Sequence, residues 1–276
     1  MISKLKLHSG TDIKKLDQRM DEKDSLVPRI PFSLSLIGQK GSGKSTLLLH
    51  LLTSTDLFAG KFNKIIFISP TSVLDDKIQS LSEIEHITTP NYLLRNKLYG
   101  KNKNILEHIT ENDSAKPPPL NFKDIDFLEK IDINVIQDIK DVQLIIKEKY
   151  GKKYMDKILI VFDDTIGEKK IWESEFMKKL VFNSAHYQIS LIITSQSYMS
   201  VPKKIRENTS SILFFEIPNE KSLEQIYEEY PMNLKKKDWM IMYDYVMKEQ
   251  FAFMILNTQN SRGKKVQNGF KEYLQI

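Results

Sequence analysis

No cysteine occurs in the 276 residues, so disulfides, thiolate-bound metals and a thiol nucleophile are excluded at the start. Their absence fits a reducing compartment. Long apolar runs are missing too: stretches such as "ILIVF" are far too short to cross a bilayer. The opening "MISKLKLHSG" lacks the continuous apolar core of a signal peptide, so a soluble, unexported protein is expected. Arginine is scarce, with only Arg19, Arg29, Arg95, Arg206 and Arg262 in the chain. Glycine is scarce as well, yet three of the ten glycines fall within residues 38–43. Nothing repeats at the period of a solenoid.

Lys+Arg is 41 against Asp+Glu 36, a formal net charge of +5. That balance permits contact with nucleic acid without demanding it, since a solvated lysine-rich surface gives the same excess. The length suits one large α/β domain with additions.

Residues 1–31 are charged and weakly periodic, and they end in "VPRIP", whose prolines oppose helix; they read as an N-terminal arm. From Phe32 short apolar runs alternate with helical segments, "FSLSLIG" with "KSTLLLHLLTS" and "KIIFIS" with "VLDDKIQSLSEI". Strand then helix, repeated, implies an α/β fold with a mainly parallel sheet over residues 32–276. Residues 86–134 include Pro117, Pro118 and Pro119, which forbid regular ladder or helix, and read as an insertion on the sheet edge. Regularity resumes with "VIQDIKDVQLIIKEKYG", a helix whose Ile139, Val142, Ile145 and Ile146 share a face and which stops at Gly151. Further on, a helix is expected near residues 171–187. "KILIVF", "ISLIIT" and "SSILFF" read as strands covered on both faces. The alternating "DWMIMYDYVMKEQFAFMILNT" suggests a strand hairpin closing the sheet.

The strongest chemical signal is Gly38, Gly43, Lys44 and Ser45, which satisfy G-x-x-x-x-G-K-S/T between an apolar strand and a helix. Glycines at this spacing let backbone N–H groups converge on phosphate oxygens, and the helix that follows points its positive end at the same place. The nucleotide-binding set is therefore Gly38, Gln39, Lys40, Gly41, Ser42, Gly43, Lys44, Ser45 and Thr46. Lys44 is expected to reach the β and γ phosphates of ATP, and the Ser45 hydroxyl to ligate Mg2+. The bland alternative is a chance glycine-rich turn.

"ILIVFDD" places Asp163 and Asp164 at the C-terminal mouth of a central strand, where open α/β sheets bind ligands. Asp163 is assigned to the metal and Asp164 to activating the attacking water; the alternative is a helix N-cap pair. "LIITSQS" ends another buried strand, and Gln196 is the candidate γ-phosphate sensor, unless it only makes local turn contacts. His186, before that strand, reads as a packed or capping group. Arg206, in "VPKKIREN", is the candidate finger completing a neighbouring subunit's site, since its planar fork suits phosphoryl oxygens. Its alternatives are a surface pair with Glu207 or a DNA phosphate contact. The tail "SRGKKVQNGFK" could touch a nucleic-acid backbone or be a frayed end.

Taken in order, "FSLSLIGQKGSGKSTLL", "KILIVFDD", "FNSAHYQISLIITSQS" and "VPKKIRENTSSILFF" resemble the DNA-packaging ATPases of large DNA viruses and virophages, the poxvirus-type branch of the FtsK-HerA superfamily. These stretches cover about half the chain. The resemblance implies a RecA-like P-loop NTPase core of the ASCE class, with an extra strand between the P-loop and the double aspartate. It further implies a homo-oligomeric ring, pentamer or hexamer, that uses ATP and Mg2+ to drive double-stranded DNA into a capsid, with capsid or portal proteins as further partners. A soluble protein of the host cytoplasm, the viral factory or the virion follows from the same resemblance. By carry-over, Lys44 and Ser45 bind nucleotide and magnesium, Asp163 and Asp164 form the acidic pair, Gln196 is the sensor and Arg206 the trans-acting finger. One departure is visible: members often carry arginine just before the histidine, where this chain has Ala185.

Two other readings compete. A monomeric nucleotide kinase would need a lid rich in arginine, which the chain lacks. A nucleotide-operated switch or scaffold would bind without turnover, and no Asn-Lys-x-Asp element of a GTPase follows the strands.

Overall fold

The computed structural model describes residues 3–5, 24–70, 81, 125–230, 232–261 and 263–275. Along the chain run β1 (Ser3–Leu5), β2 (Ser33–Ile37), α1 (Lys44–Thr53), β3 (Lys64–Ile68), β4 (Ile125–Leu128) and α2 (Ile133–Tyr150). Then come β5 (Ile158–Phe162), α3 (Lys169–Trp172), α4 (Glu175–Asn183), β6 (Ile189–Ser195), α5 (Lys203–Arg206) and β7 (Ser211–Phe214). The chain closes with α6 (Glu220–Glu229), α7 (Lys236–Val246), β8 (Met254–Asn257), β9 (Val266–Asn268) and β10 (Glu272–Gln275). The expected α/β architecture forms, in two compact units: Met1–Lys44 with Ser195–Ile276, and Ser45–Thr194.

In the second unit the strands lie in the order β6, β5, β3, β4, and every pairing is parallel. Every residue of β3, β5 and β6 is buried, which is why they read as unbroken apolar runs. Lys64 is the charged exception. Its ammonium meets the Asp126 carboxylate at 2.6 Å and ties the first residue of β3 to β4, so the buried charge is paired.

Helix α2 begins where Asp132 accepts the N–H groups of Asn134 and Val135, and Gly151 ends it by donating to the Lys147 carbonyl. Its buried face is Ile136, Ile139, Val142, Gln143 and Ile146, so Gln143 takes the place expected of Ile145. The reason is backbone accounting. Gln143 Nε2 donates to the carbonyls of Asp156 (2.7 Å) and Tyr187 (2.8 Å), and its Oε1 accepts the Asp156 N–H (3.2 Å).

In the first unit the order is β1, β10, β9, β8, β7, β2; β2 and β7 run parallel and the other neighbours antiparallel. Phe214 packs on Trp239 and stacks on Tyr243, joining β7 to α7. Asp24 accepts the Ser261 N–H at 2.6 Å, while Ser25 exchanges backbone hydrogen bonds with the Asn260 side chain. The described part of the N-terminal arm is thus fastened beside the C-terminal strands.

Several sequence expectations change. The first half of "DWMIMYDYVMKEQFAFMILNT" is not a strand of a hairpin but helix α7, with Trp239, Met242, Tyr243 and Val246 buried at helical spacing. The antiparallel closure comes later, from β8, β9 and β10. The single helix expected near 171–187 is two: α3 ends at Trp172, and the Ser174 hydroxyl oxygen caps α4 by accepting the Met177 N–H. Residues 125–134, expected as the end of the edge insertion, supply edge strand β4 and the start of α2. The remainder of the expected insertion, with its three prolines, lies outside the described residues, as does the helix expected in "VLDDKIQSLSEI" apart from Leu81.

Candidate functional site

Strand β2 delivers the chain to the glycine-rich loop, where the Gly38 N–H donates to the Ser195 carbonyl at 3.1 Å. A Cβ at Gly38 would stand 2.4 Å from Ser42 Oγ and 2.8 Å from Phe215 Cδ2, so no other residue fits there without a shift. Gly43 has φ +101, a conformation that side chains disfavour, and it turns the chain directly into α1. No acidic residue occupies the first turn of α1, so its positive end is not neutralised from within. Lys44 is buried, and its Nζ donates to the Gly38 carbonyl at 2.6 Å. Ser45 and Thr46 are exposed on the opening turn.

One atom in this loop lacks a partner: Ser42 Oγ is buried without a hydrogen bond. A buried hydroxyl in that state is unfavourable unless an acceptor arrives. A phosphate oxygen is such an acceptor, and Lys44 is a cation that can exchange its carbonyls for phosphate. The residues of the loop therefore fit a nucleoside triphosphate.

The acidic pair belongs to the second unit. Asp163 follows β5, its N–H donating to the Ile68 carbonyl at 2.8 Å. Its Oδ1 accepts the Thr194 hydroxyl at 2.7 Å and its Oδ2 the Ser69 hydroxyl at 3.3 Å. Carboxylate oxygens carry further lone pairs, so two hydroxyl donors orient Asp163 while leaving it able to accept from a metal-bound water. Asp164 is exposed and left-handed, φ 49 and ψ 28, and its N–H donates to Thr194 Oγ1 at 2.9 Å. A non-glycine residue in that region is held by its surroundings, and such residues cluster at working sites. Thr194 and Ser69 were not singled out in the sequence. The available signal was a hydroxyl at the end of an apolar strand, "IIT" and "FIS".

Among the described residues no group of three or more His, Asp or Glu could hold a metal. A magnesium site of the P-loop kind needs none, because phosphate and water oxygens supply most ligands. Gln196 follows β6 and is exposed in the first unit, inside a turn closed by Ser195 Oγ donating to the Ser197 carbonyl.

Arg206 is not held out toward a neighbour. It is 7% exposed, and its Nε and Nη2 donate to the two oxygens of Glu229 at 2.9 and 2.7 Å. Nη1 donates to the Val201 carbonyl at 3.1 Å, the guanidinium lies 4.7 Å from the centroid of the Tyr198 ring, and the Tyr198 hydroxyl also donates to Glu229. Burial alone would raise the Glu229 carboxyl, but the hydrogen bonds from Arg206 and Tyr198 prevail and hold it below its ordinary range. The fork that suited a phosphoryl group is engaged with a carboxylate of the same chain. Glu207 is not its partner either; it pairs with Lys203 at 3.8 Å.

His186 is exposed in a short 3-10 turn, neither packed nor capping. The tail is not frayed: Val266, Gln267, Tyr273 and Leu274 are buried in β9 and β10. No described helix is long and apolar enough to cross a membrane.

Against known proteins, residues 119–265, just over half the chain, match the family described as Poxvirus A32 protein. The uncharacterized protein 075L of Invertebrate iridescent virus 6 is 28% identical over 102 residues, 34% of this chain and 40% of that protein. The chain thus spans less than half the length of this curated relative. Among solved structures, the genome packaging NTPase B204 from Sulfolobus turreted icosahedral virus 2, in complex with AMP, superimposes with a TM-score of 0.52 at 14% identity. That overlay covers 90% of this chain and 100% of B204, and it shows a shared fold. B204 from Sulfolobus turreted icosahedral virus, described as a DNA-packaging ATPase, gives a TM-score of 0.49 at 16% identity, covering 90% and 98% of the two chains.

Proposed function

This chain belongs to the poxvirus A32 protein family, and from that premise we infer that it is an ATP-hydrolysing motor that drives viral double-stranded DNA into a capsid. The observation that carries the reading is the loop at residues 38–44, with Lys44 Nζ buried on the Gly38 carbonyl and Ser42 Oγ awaiting an acceptor. The fold shared with the genome packaging NTPase B204 agrees with it.

Backbone N–H groups of the loop and the Lys44 ammonium bind and orient the β and γ phosphates of ATP. The Ser45 hydroxyl and the Asp163 carboxylate are the groups that would hold magnesium, which would neutralise the triphosphate oxygens. Thr194 and Ser69 fix the direction of the Asp163 carboxylate. Asp164 accepts a proton from the attacking water, and Gln196 orients that water and senses the γ phosphate. Assembly as a homo-oligomeric ring, engagement with capsid or portal proteins, and residence in the host cytoplasm, viral factory or virion belong to the same proposal.

The test is ATPase rate against protein concentration, with and without duplex DNA. A motor shows a specific rate that rises with concentration and rises again with DNA. A rate per chain that is flat in concentration and indifferent to DNA counts against it.

A further inference from the structure

Phe251 sits in the turn between α7 and β8 and combines three properties that rarely coincide. It is 60% exposed, it holds a left-handed backbone at φ 60, and it borders the glycine-rich loop, where a Cβ at Gly43 would lie 3.6 Å from its Cδ1. An aromatic residue in the left-handed region is an outlier, and the surrounding structure has to impose it. The imposing contacts are next to it in the chain. The Ala252 N–H donates to the Glu249 carbonyl, and the Gly269 N–H donates to the Phe253 carbonyl. The Phe253 ring packs 5.8 Å from Phe215 and 5.6 Å, edge-on, from Phe270. Phe215, 3% exposed, is the aromatic that backs Gly38 and Gly43. Two rings behind the loop are therefore packed, while the third stands in solvent beside it.

We propose that Phe251 is the platform on which the base of the bound nucleotide stacks. The inference rests on the nucleotide-binding reading of the loop. A nucleoside triphosphate whose β phosphate is seated at Gly43 and Lys44 brings its ribose and base to the surface bordering that loop, and among the described residues Phe251 offers an exposed π-face there. Stacking is tolerant of base identity, since every base offers a π-face. The platform therefore serves ATP and GTP alike and contributes affinity rather than discrimination. With its backbone already fixed, only rotation of the side chain is lost when a base covers the ring.

Isothermal titration of wild type, Phe251→Ala, Phe251→Gly and Lys44→Ala with ATP and with inorganic tripolyphosphate tests this. Both Phe251 variants should weaken ATP by about 5- to 100-fold, the range that base stacking on an aromatic supplies. They should leave tripolyphosphate binding unchanged, and Phe251→Trp should keep the affinity for ATP. Glycine also relieves the left-handed backbone, so Phe251→Gly should melt at a higher temperature than wild type while binding ATP more weakly. A merely structural role cannot move those two readouts in opposite directions. Unchanged ATP affinity in Phe251→Gly, or equal losses for ATP and tripolyphosphate, overturns the proposal while the loop reading stands. If wild type binds neither ligand, or Lys44→Ala leaves both untouched, the loop reading falls and the platform with it.

Discussion

Thr194 serves both acids at once: its hydroxyl donates to Asp163 Oδ1 at 2.7 Å, and the same oxygen accepts the Asp164 N–H at 2.9 Å. A single hydroxyl at the end of β6 therefore sets the direction of the Asp163 carboxylate and the left-handed turn of its neighbour.

Replacing Thr194 by Val keeps the shape and removes both bonds. We expect kcat to fall by about 10- to 100-fold, the usual effect of losing a group that orients a metal-binding residue. KM for ATP should change little, and Thr194→Ser should restore most of the rate. Steady-state kinetics beside a thermal melt decide it, and a wild-type kcat in Thr194→Val removes this role.

Arg206→Ala leaves the half-buried Glu229 without its main cationic partner, and we expect a loss of roughly 1.5–3 kcal/mol of stability in urea unfolding. Because Glu229 titrates below its ordinary 4.5 in the folded chain, the pair stabilises above that pH. Its contribution fades as pH falls through the lowered folded value. Mixing Arg206→Ala with a Lys44→Ala partner should not restore ATPase activity. Restoration, with an unchanged melting temperature, would return Arg206 to the subunit boundary.

Asp156 is fully buried at the approach to β5, and burial pushes its carboxyl up to about 8. The folded chain then keeps a proton that the unfolded chain gives up above about 4. Stability should therefore decline as pH rises from about 4 to 8. Asp156→Asn should flatten that decline and add roughly 1–3 kcal/mol at pH 8. Identical pH slopes in the two proteins would show that Asp156 does not titrate in this window.

Gly38→Ala forces a methyl against Ser42 Oγ and the Phe215 ring. A shift of these neighbours is unavoidable, and we expect a destabilisation of about 1–3 kcal/mol and loss of ATP and tripolyphosphate binding together. Titration with both ligands checks this, and retained binding of either would show that the loop yields.

The loop and the acids were legible because their chemistry is local: glycines, lysine and hydroxyl within eight positions, and two aspartates ending an apolar run. Elements set by distant partners were not. In "WMIMYDYV" both a strand and a helix template place Trp239 and Tyr243 inward. Ile241, at 42% exposure, decides for the helix, and only packing against Phe214 fixes that choice. Arg206 looked available because its partner Glu229 stands 23 positions away on α6. Gln143 displaced an isoleucine from the expected face because two backbone carbonyls outside its own helix needed a donor.

The left-handed backbone of Asp164 also limits how this position can drift among relatives. Asparagine and glycine adopt that conformation readily, whereas longer and branched side chains resist it. Divergent homologues that keep this turn should therefore draw on aspartate, asparagine and glycine at this point. A glutamate in its place keeps the charge yet disturbs the bend, so such a variant reports on backbone shape as well as on proton transfer.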